Sequence, residues 1–333
     1  MINKIKSTLA ILSIAASPVF ADYPEKDIQG IIQWGAGGST DTVMRSIAPH
    51  VEDELGTDIV MINRTGGVGA IATKYVYAQK ADGYTLLMGA ENPQMYKVLG
   101  LGEIDYGDMV PISILARGTP IFVAQNDAPY NNMREFVEYV QQNPGEVRTG
   151  MTGNGGLTSI VLAMLDSQVK LDLTRVPYNG DGPALTALQS GTIDVMSTVL
   201  GAAIDHVRAG RMKVIGLMDN SENALVPGVE PITEDFPGLS NYLPWGPFFG
   251  VFVKQGTPEE AVIKLQDAFR KAATNEDFVN IMTNRGYTMM NLSGDEASSF
   301  LDKYKSVSSW LVYDAGYAKH SPADFDIPRP ESN

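Results

Sequence analysis

The chain has no cysteine. That excludes disulfides, thiolate-held metals, a cysteine nucleophile and a lipid-bearing N-terminal cysteine. Histidine is nearly as scarce: His50, His206 and His320 are too few and too scattered to suggest a zinc site. Positive charge is in deficit, with 25 Lys and Arg against 39 Asp and Glu, a formal net charge of −14. Such a surface repels nucleic acid and anionic membrane, so neither is an expected partner. No apolar run beyond residue 21 is long enough to cross ~30 Å of hydrocarbon. What is present points to a globular protein. The 333 residues are 44% apolar, and their 33 Gly and 19 Pro are spread along the chain, which excludes disordered, collagenous and low-complexity classes. The length suggests about two domains.

Lys4 and Lys6 precede an apolar run from Thr8 to Ala16, and Val19-Phe20-Ala21 follows. Basic residues, a short apolar stretch and then small residues form an export signal, with cleavage expected after Ala21. Loss of residues 1–21 leaves 23 basic against 39 acidic residues, a net charge of −16. A mature chain starting at Asp22, with no cysteine to lipidate, is expected to diffuse freely in a bacterial periplasm. That setting disfavours any role that needs ATP or NAD.

From residue 28 short apolar runs alternate with helical patterns. Ile28–Trp34 reads as a strand. Thr40–Leu55 reads as a helix with Val43, Ile47, Val51 and Leu55 on one face and Gly56 as its stop. Pro49 is expected to kink that helix or end it early. Strands at Asp58–Ile62 and Tyr84–Met88 flank a helix at Val68–Gln79. The alternation restarts after about residue 125 and continues to a strand at Lys213–Met218. Residues 220–247 are irregular, and Thr257 and Ser293 open capping-box patterns before two C-terminal helices. Alternation of this kind implies an α/β protein of two lobes, each a mainly parallel sheet flanked by helices. The expected division is residues 22–124 plus 250–333 for lobe 1 and 125–249 for lobe 2, with the chain crossing twice.

Four glycine-rich turns lie between strands and helices: Gly35–Thr40, Gly66–Ala70, Thr152–Thr158 and Tyr178–Pro183. The first N–H groups of a helix lack partners and carry partial positive charge, so such a turn is an anion site that needs no Arg or Lys. In parallel α/β folds these turns also line the crevice at the strand ends. Any one of them is accounted for by a tight turn alone; two per lobe, facing each other, suggest a cleft. Nucleotide readings fail. The first turn lacks GxGxxG order, Asn63 replaces the ribose acid, and neither GxxxxGK[ST] nor GxSxG occurs. Ser39 and His50 are badly spaced for a catalytic pair. Asp41 in the first helical turn suits capping better than ligand contact. Trp34 is either core or cleft wall. Arg64 is either a ligand contact or, more simply, half of a structural ion pair. Glu91 and Asn92 follow a strand and are placed to meet polar ligand groups.

These residues resemble the periplasmic substrate-binding proteins of tripartite tricarboxylate transporters, the Bug family. The resemblance rests on Trp34 followed by Gly37-Gly38-Ser39-Thr40-Asp41 and then Arg45. It continues in Ile62-Asn63-Arg64-Thr65-Gly66-Gly67-Val68-Gly69, Asp82-Gly83-Tyr84-Thr85-Leu86-Leu87, Val176-Pro177-Tyr178-Asn179-Gly180, Ala209-Gly210-Arg211 and Gly256-Thr257-Pro258. It implies a two-lobe Venus flytrap of the type II periplasmic-binding class, monomeric, without cofactor, metal or catalysis. It also implies a cleft for a small organic carboxylate (a di- or tricarboxylate or an aromatic acid) and delivery to membrane transporter subunits. On this basis Trp34, Gly38, Ser39, Thr40, Gly67, Gly69 and Glu91 are expected to form the first-lobe side. Thr152, Asn154, Gly155, Thr158, Tyr178, Asn179 and Thr198 are expected to form the second. Gly156 and Ser159 depart from the family's usual Ser and His, Gln33 from its Pro before the aromatic, and Thr65 from its Pro in the second loop. Recognition of the ligand's far end is therefore not set by the resemblance. A periplasmic sensor is an alternative on the same fold, and a secreted hydrolase is an alternative from another class.

Overall fold

The computed structural model describes residues 23–330; the expected export signal lies outside them. The strands are β1 (Ile28–Ile32), β2 (Ile59–Asn63), β3 (Thr85–Ala90), β4 (Met109–Gly118), β5 (Pro120–Gln125), β6 (Arg148–Met151), β7 (Thr174–Pro177), β8 (Val195–Val199), β9 (Met212–Leu217), β10 (Phe248–Lys254) and β11 (Tyr287–Leu292). They form two sheets, in the orders β11-β4-β10-β3-β1-β2 and β7-β6-β8-β5-β9. The helices are α1 (Ser39–Leu55), α2 (Ala70–Ala78), α3 (Tyr96–Leu99), α4 (Met133–Gln142), α5 (Leu157–Asp166), α6 (Asp181–Gln189), α7 (Leu200–Arg208), α8 (Ile232–Asp235), α9 (Glu259–Ala272), α10 (Glu276–Asn284) and α11 (Gly294–Asp314).

The fold is α/β with two sheets flanked by helices, as expected, but the sheets are mixed. β1 pairs in parallel with β2 and β3, whereas β10 runs antiparallel between β3 and β4, and β11 pairs antiparallel with β4 at the edge. In the second sheet β6 is parallel to β7 and β8, and β5 is antiparallel to β8 and β9. The antiparallel members flank the points where the chain changes lobe. It crosses first at Thr119, between β4 and β5, so residues 120–124 sit in the second sheet although the sequence division runs lobe 1 through residue 124. It returns just ahead of β10. The crossings lie side by side, with Gly118 N donating to Pro247 O at 2.9 Å. Two adjacent connections between two lobes are an arrangement that can serve as a hinge.

Helical period fixes the first helix as the sequence predicts. Val43, Ile47 and Val51 of α1 are fully buried and Leu55 nearly so, and Gly56 ends the helix in the left-handed conformation. Pro49 lies inside α1 and does not end it. Its missing N–H costs one helical bond, while the apolar stripe on either side holds the helix to the sheet. Neither C-terminal capping box forms. The Thr257 hydroxyl bonds Lys254 O, and Ser293 caps α11 without a side-chain bond. Strands β3 and β8 are almost wholly buried, consistent with helices covering both faces.

Candidate functional site

The first and fourth glycine turns meet across the lobe boundary, as do the second and third. Gly35 N donates to Asn179 O at 3.0 Å. A methyl group at Gly182 would lie 2.2 Å from Ala36 O. Here glycine permits backbone-to-backbone contact between lobes, a use beyond the tight turn and the anion site read from the sequence. In the other pair, a Cβ at Gly153 would press on Val68, and Gly155 O accepts from Asn92 Nδ2 at 2.9 Å.

Between these contacts lies a cavity of ≈ 30 Å³, lined by Trp34, Gly38, Ser39, Thr40, Ala90, Glu91, Asn92, Thr152, Leu157, Asp181, Val199, Pro247 and Phe249. That volume holds about two water molecules. The lobes are held shut on it. Ser39 Oγ donates to Asp181 Oδ2 at 2.8 Å across the boundary. Farther out, Tyr317 OH donates to Asp166 Oδ2 at 2.8 Å and Arg285 pairs with Asp205.

Two helices begin at the cavity without a side-chain cap. α1 starts at Ser39 after Gly38, and α5 starts at Leu157 after Gly156. Their first N–H groups supply donors and partial positive charge there. Ser39, Thr40 and Thr152 add buried hydroxyls, and Thr152 Oγ1 has no hydrogen-bond partner. α6 also begins there, but with an acid of its own, Asp181.

Two carboxyl groups line the cavity, Glu91 at 2% exposure and Asp181 at 8%. Glu91 Oε1 accepts from Asn92 Nδ2 at 3.0 Å, whereas Oε2 has no partner. Burial, with the charge of Asp181 adding to it, pushes the Glu91 carboxyl up to about 8. Burial also raises Asp181, against the lowering effect of the Ser39 hydroxyl and of the neighbouring Thr198 and Val199. The Thr198 hydroxyl stands beside that carboxylate without closing a hydrogen bond of good geometry.

Of the residues expected from sequence, Trp34, Gly38, Ser39, Thr40, Glu91 and Thr152 line this cavity. Trp34 forms part of its wall and donates through Nε1 to Asn92 Oδ1 at 3.2 Å. Gly67 and Gly69 lie outside the lining, in a left-handed turn ahead of α2. Asn154 faces an outer groove with Arg175 and Tyr317, and Gly155 meets Asn92. Thr158 gives its hydroxyl to Ser197 O at 3.0 Å. Tyr178 is half-buried against the second-lobe core, and Asn179 contributes its carbonyl to the lobe contact. Asp41 serves the frame: it accepts from Gly37 N and Asn63 Nδ2 and pairs with Arg45 at 2.8 Å. Arg64 makes no ion pair among the described residues; its guanidinium stacks 3.8 Å over the Tyr75 ring. Sequence reasoning treated Asp181 only as a turn residue and missed Pro247 and Phe249, which reach the cavity from the second crossing.

Comparison with known proteins agrees with this architecture. The family model described as tripartite tricarboxylate transporter family receptor matches residues 43–314. A UPF0065 protein of Bordetella pertussis is 29% identical over 93% of this chain and 96% of its own length. Protein BugT of the same organism is 26% identical over 86% of this chain and 88% of its own. Among solved structures, periplasmic binding protein BugD superposes with a TM-score of 0.83 at 24% identity, over 89% of this chain and 99% of its own, a likeness of fold. MatC of Rhodopseudomonas palustris, solved with bound malate, superposes with a TM-score of 0.81 at 26% identity, over 87% of this chain and all of its own. Among the described residues no helix is long and apolar enough to cross a membrane.

Proposed function

This chain belongs to the tripartite tricarboxylate transporter receptor family of periplasmic solute-binding proteins, and from that premise we propose that it captures a small organic carboxylate between its lobes and delivers it to a membrane transporter of the tripartite type. The observation that carries this reading is the interlobe cavity onto which α1 and α5 open their uncapped N-termini beside the hydroxyls of Ser39, Thr40 and Thr152. Such a group of donors matches the lone pairs of a carboxylate and needs no basic side chain. MatC, which binds malate, gives the reading further support.

The mechanism follows from the hinge. At ≈ 30 Å³ the cavity has room for about two waters, so the lobes part to admit the ligand and close around it. The ligand shifts the open–closed equilibrium by the free energy of the contacts it makes only when both walls reach it. Long-range attraction is absent, because the chain carries a net charge of −14 and repels an approaching anion. Discrimination rests on the short-range donors of the cleft.

A thermal-shift panel on residues 22–333, refolded to strip any bound solute, tests the proposal. A carboxylate at ~100 times its dissociation constant stabilises the fold by about 2.7 kcal/mol. Stabilisation by carboxylates, cut to about half in Ser39→Ala at the same ligand concentration and absent with neutral sugars and amides, is the expected result. Stabilisation by neutral compounds alone overturns it.

A further inference from the structure

The same cavity carries a feature that a receptor for diacids does not need. Its second polar region is acidic. Glu91 and Asp181 both line it, both are more than nine-tenths buried, and Glu91 Oε2 has no hydrogen-bond partner. Among the described residues no Lys, Arg or His lines the cavity. The remaining wall is largely apolar, formed by Trp34, Leu157, Val199 and Phe249 among others. A second ligand carboxylate placed there adds negative charge beside two carboxyl groups that burial already pushes toward their neutral forms, with no cation and little water to offset it. A protonated amine meets the opposite situation, since it brings a donor to the unpartnered Glu91 Oε2 and a positive charge that favours the ionised form of both acids.

Resting on the reading that the cleft holds a carboxylate, we propose that the ligand is an amino-carboxylate, whose acid end lies at the N-termini of α1 and α5 and whose ammonium group lies against Glu91 and Asp181. The site is then bipolar. Backbone N–H groups and hydroxyls form one pole, and two buried carboxyl groups form the other. Glu91 is the anchor of the second pole, because its free oxygen has no competing partner. Asp181 divides its carboxylate between the ligand and the Ser39 hydroxyl, 2.8 Å away. Binding therefore ties the ammonium group to the contact that joins the lobes.

The test is calorimetric titration of the refolded mature chain with acids matched in length and different only at the far end: butyrate, glutarate, glutarate monoamide and γ-aminobutyrate. The shorter β-alanine and succinate, and the α-amino acids alanine and serine, cover other spacings. The expected result is that amino-carboxylates bind at least tenfold more tightly than the diacid of equal length. In Asp181→Asn and in the isosteric Glu91→Gln that ratio falls at least tenfold, and circular dichroism reports that the variants are folded. Tighter binding of diacids than of amino-carboxylates overturns the amine assignment and leaves the carboxylate reading standing. An amine preference unchanged in both variants also overturns it. Binding of none of these acids, with neutral compounds bound instead, removes the carboxylate reading beneath it.

Discussion

The starts of α5 and α6, two helices of the same lobe that open on the same cavity, are built in opposite ways. α5 begins after Gly156 with Leu157 and Thr158, no acid in its first turn and no side-chain cap. α6 begins after Gly180 with Asp181, a buried acid that accepts from Ser39 across the lobe boundary. One helix offers its positive end to whatever enters, and the other supplies its own anion and presents that anion to the cleft. Helix dipoles alone make both starts anion sites; a single side chain reverses the second. The charge that each helix start presents to the cavity is thus set by what occupies the first turn as much as by the glycines that shape it.

Four substitutions break or sharpen the contrast between these two poles. The largest effect is expected from Gly182→Ala, which holds the poles apart. Its new methyl group falls 2.2 Å from Ala36 O and about as close to the Gly37–Gly38 backbone as a hydrogen bond, all of it in the opposite lobe. Overpacking of this kind costs roughly 1–3 kcal/mol, here in the closed state only. Ligand affinity should fall by about ten- to a hundredfold, and small-angle scattering should show no compaction on ligand addition. Unaltered compaction would show that the lobes close along another path.

Ser39→Ala removes the donor that joins the poles and leaves Asp181 with one partner fewer. A buried acceptor deprived of its bond costs about 1–3 kcal/mol, so affinity measured by calorimetry should drop about tenfold. Wild-type affinity would remove Ser39 from the site.

Glu91→Gln acts through pH. The folded-state value of about 8 lies above the ordinary 4.5, so the closed protein keeps a proton that the unfolded chain loses. The groups that face it are Asp181 and the phenols of Tyr96, Tyr106 and Tyr304, which burial holds in their protonated forms. Its stabilising contribution is full below about pH 4.5 and is lost as pH rises through about 8. One such proton gives a slope of up to about 1.4 kcal/mol per pH unit. In ligand-free protein, Glu91→Gln should flatten the fall of unfolding free energy between these limits. An unchanged slope would assign the titration elsewhere.

The smallest effect is expected from Thr152→Ala at the first pole. The hydroxyl is buried and unpartnered, so its removal should leave ligand-free stability unchanged or raise it by less than ~1 kcal/mol. Carboxylate affinity should nonetheless fall a few-fold, since the ligand loses a donor. A loss of stability without a loss of affinity would make Thr152 part of the frame alone.

Much of the frame was legible because it depends on local pattern. The stripe Val43, Ile47, Val51 and Leu55 could pack in only one way on an α/β sheet, and all four are buried. The glycine turns were legible because glycine marks turns wherever it clusters. Strands β4, β5, β10 and β11 carry no comparable signal. Met109–Gly118 is a long buried run without alternation, interrupted by Pro111, and such runs do not declare their partners. The fate of Arg64 was equally hidden, since stacking on Tyr75 needs the third-dimensional approach of a neighbouring helix.

The sequence by itself determined the α/β class, the four turns, the helical faces and the chemistry available at Ser39, Thr40 and Thr152, because these follow from periodicity, propensity and residue type over a few neighbours. Only the tertiary structure decided that Asp181 meets Ser39 from 142 positions away, that Glu91 keeps a free oxygen in the same cavity, and that Pro247 and Phe249 close its wall. Those relations arise where two separately folded surfaces come together, and no local pattern records what lies on the opposite lobe.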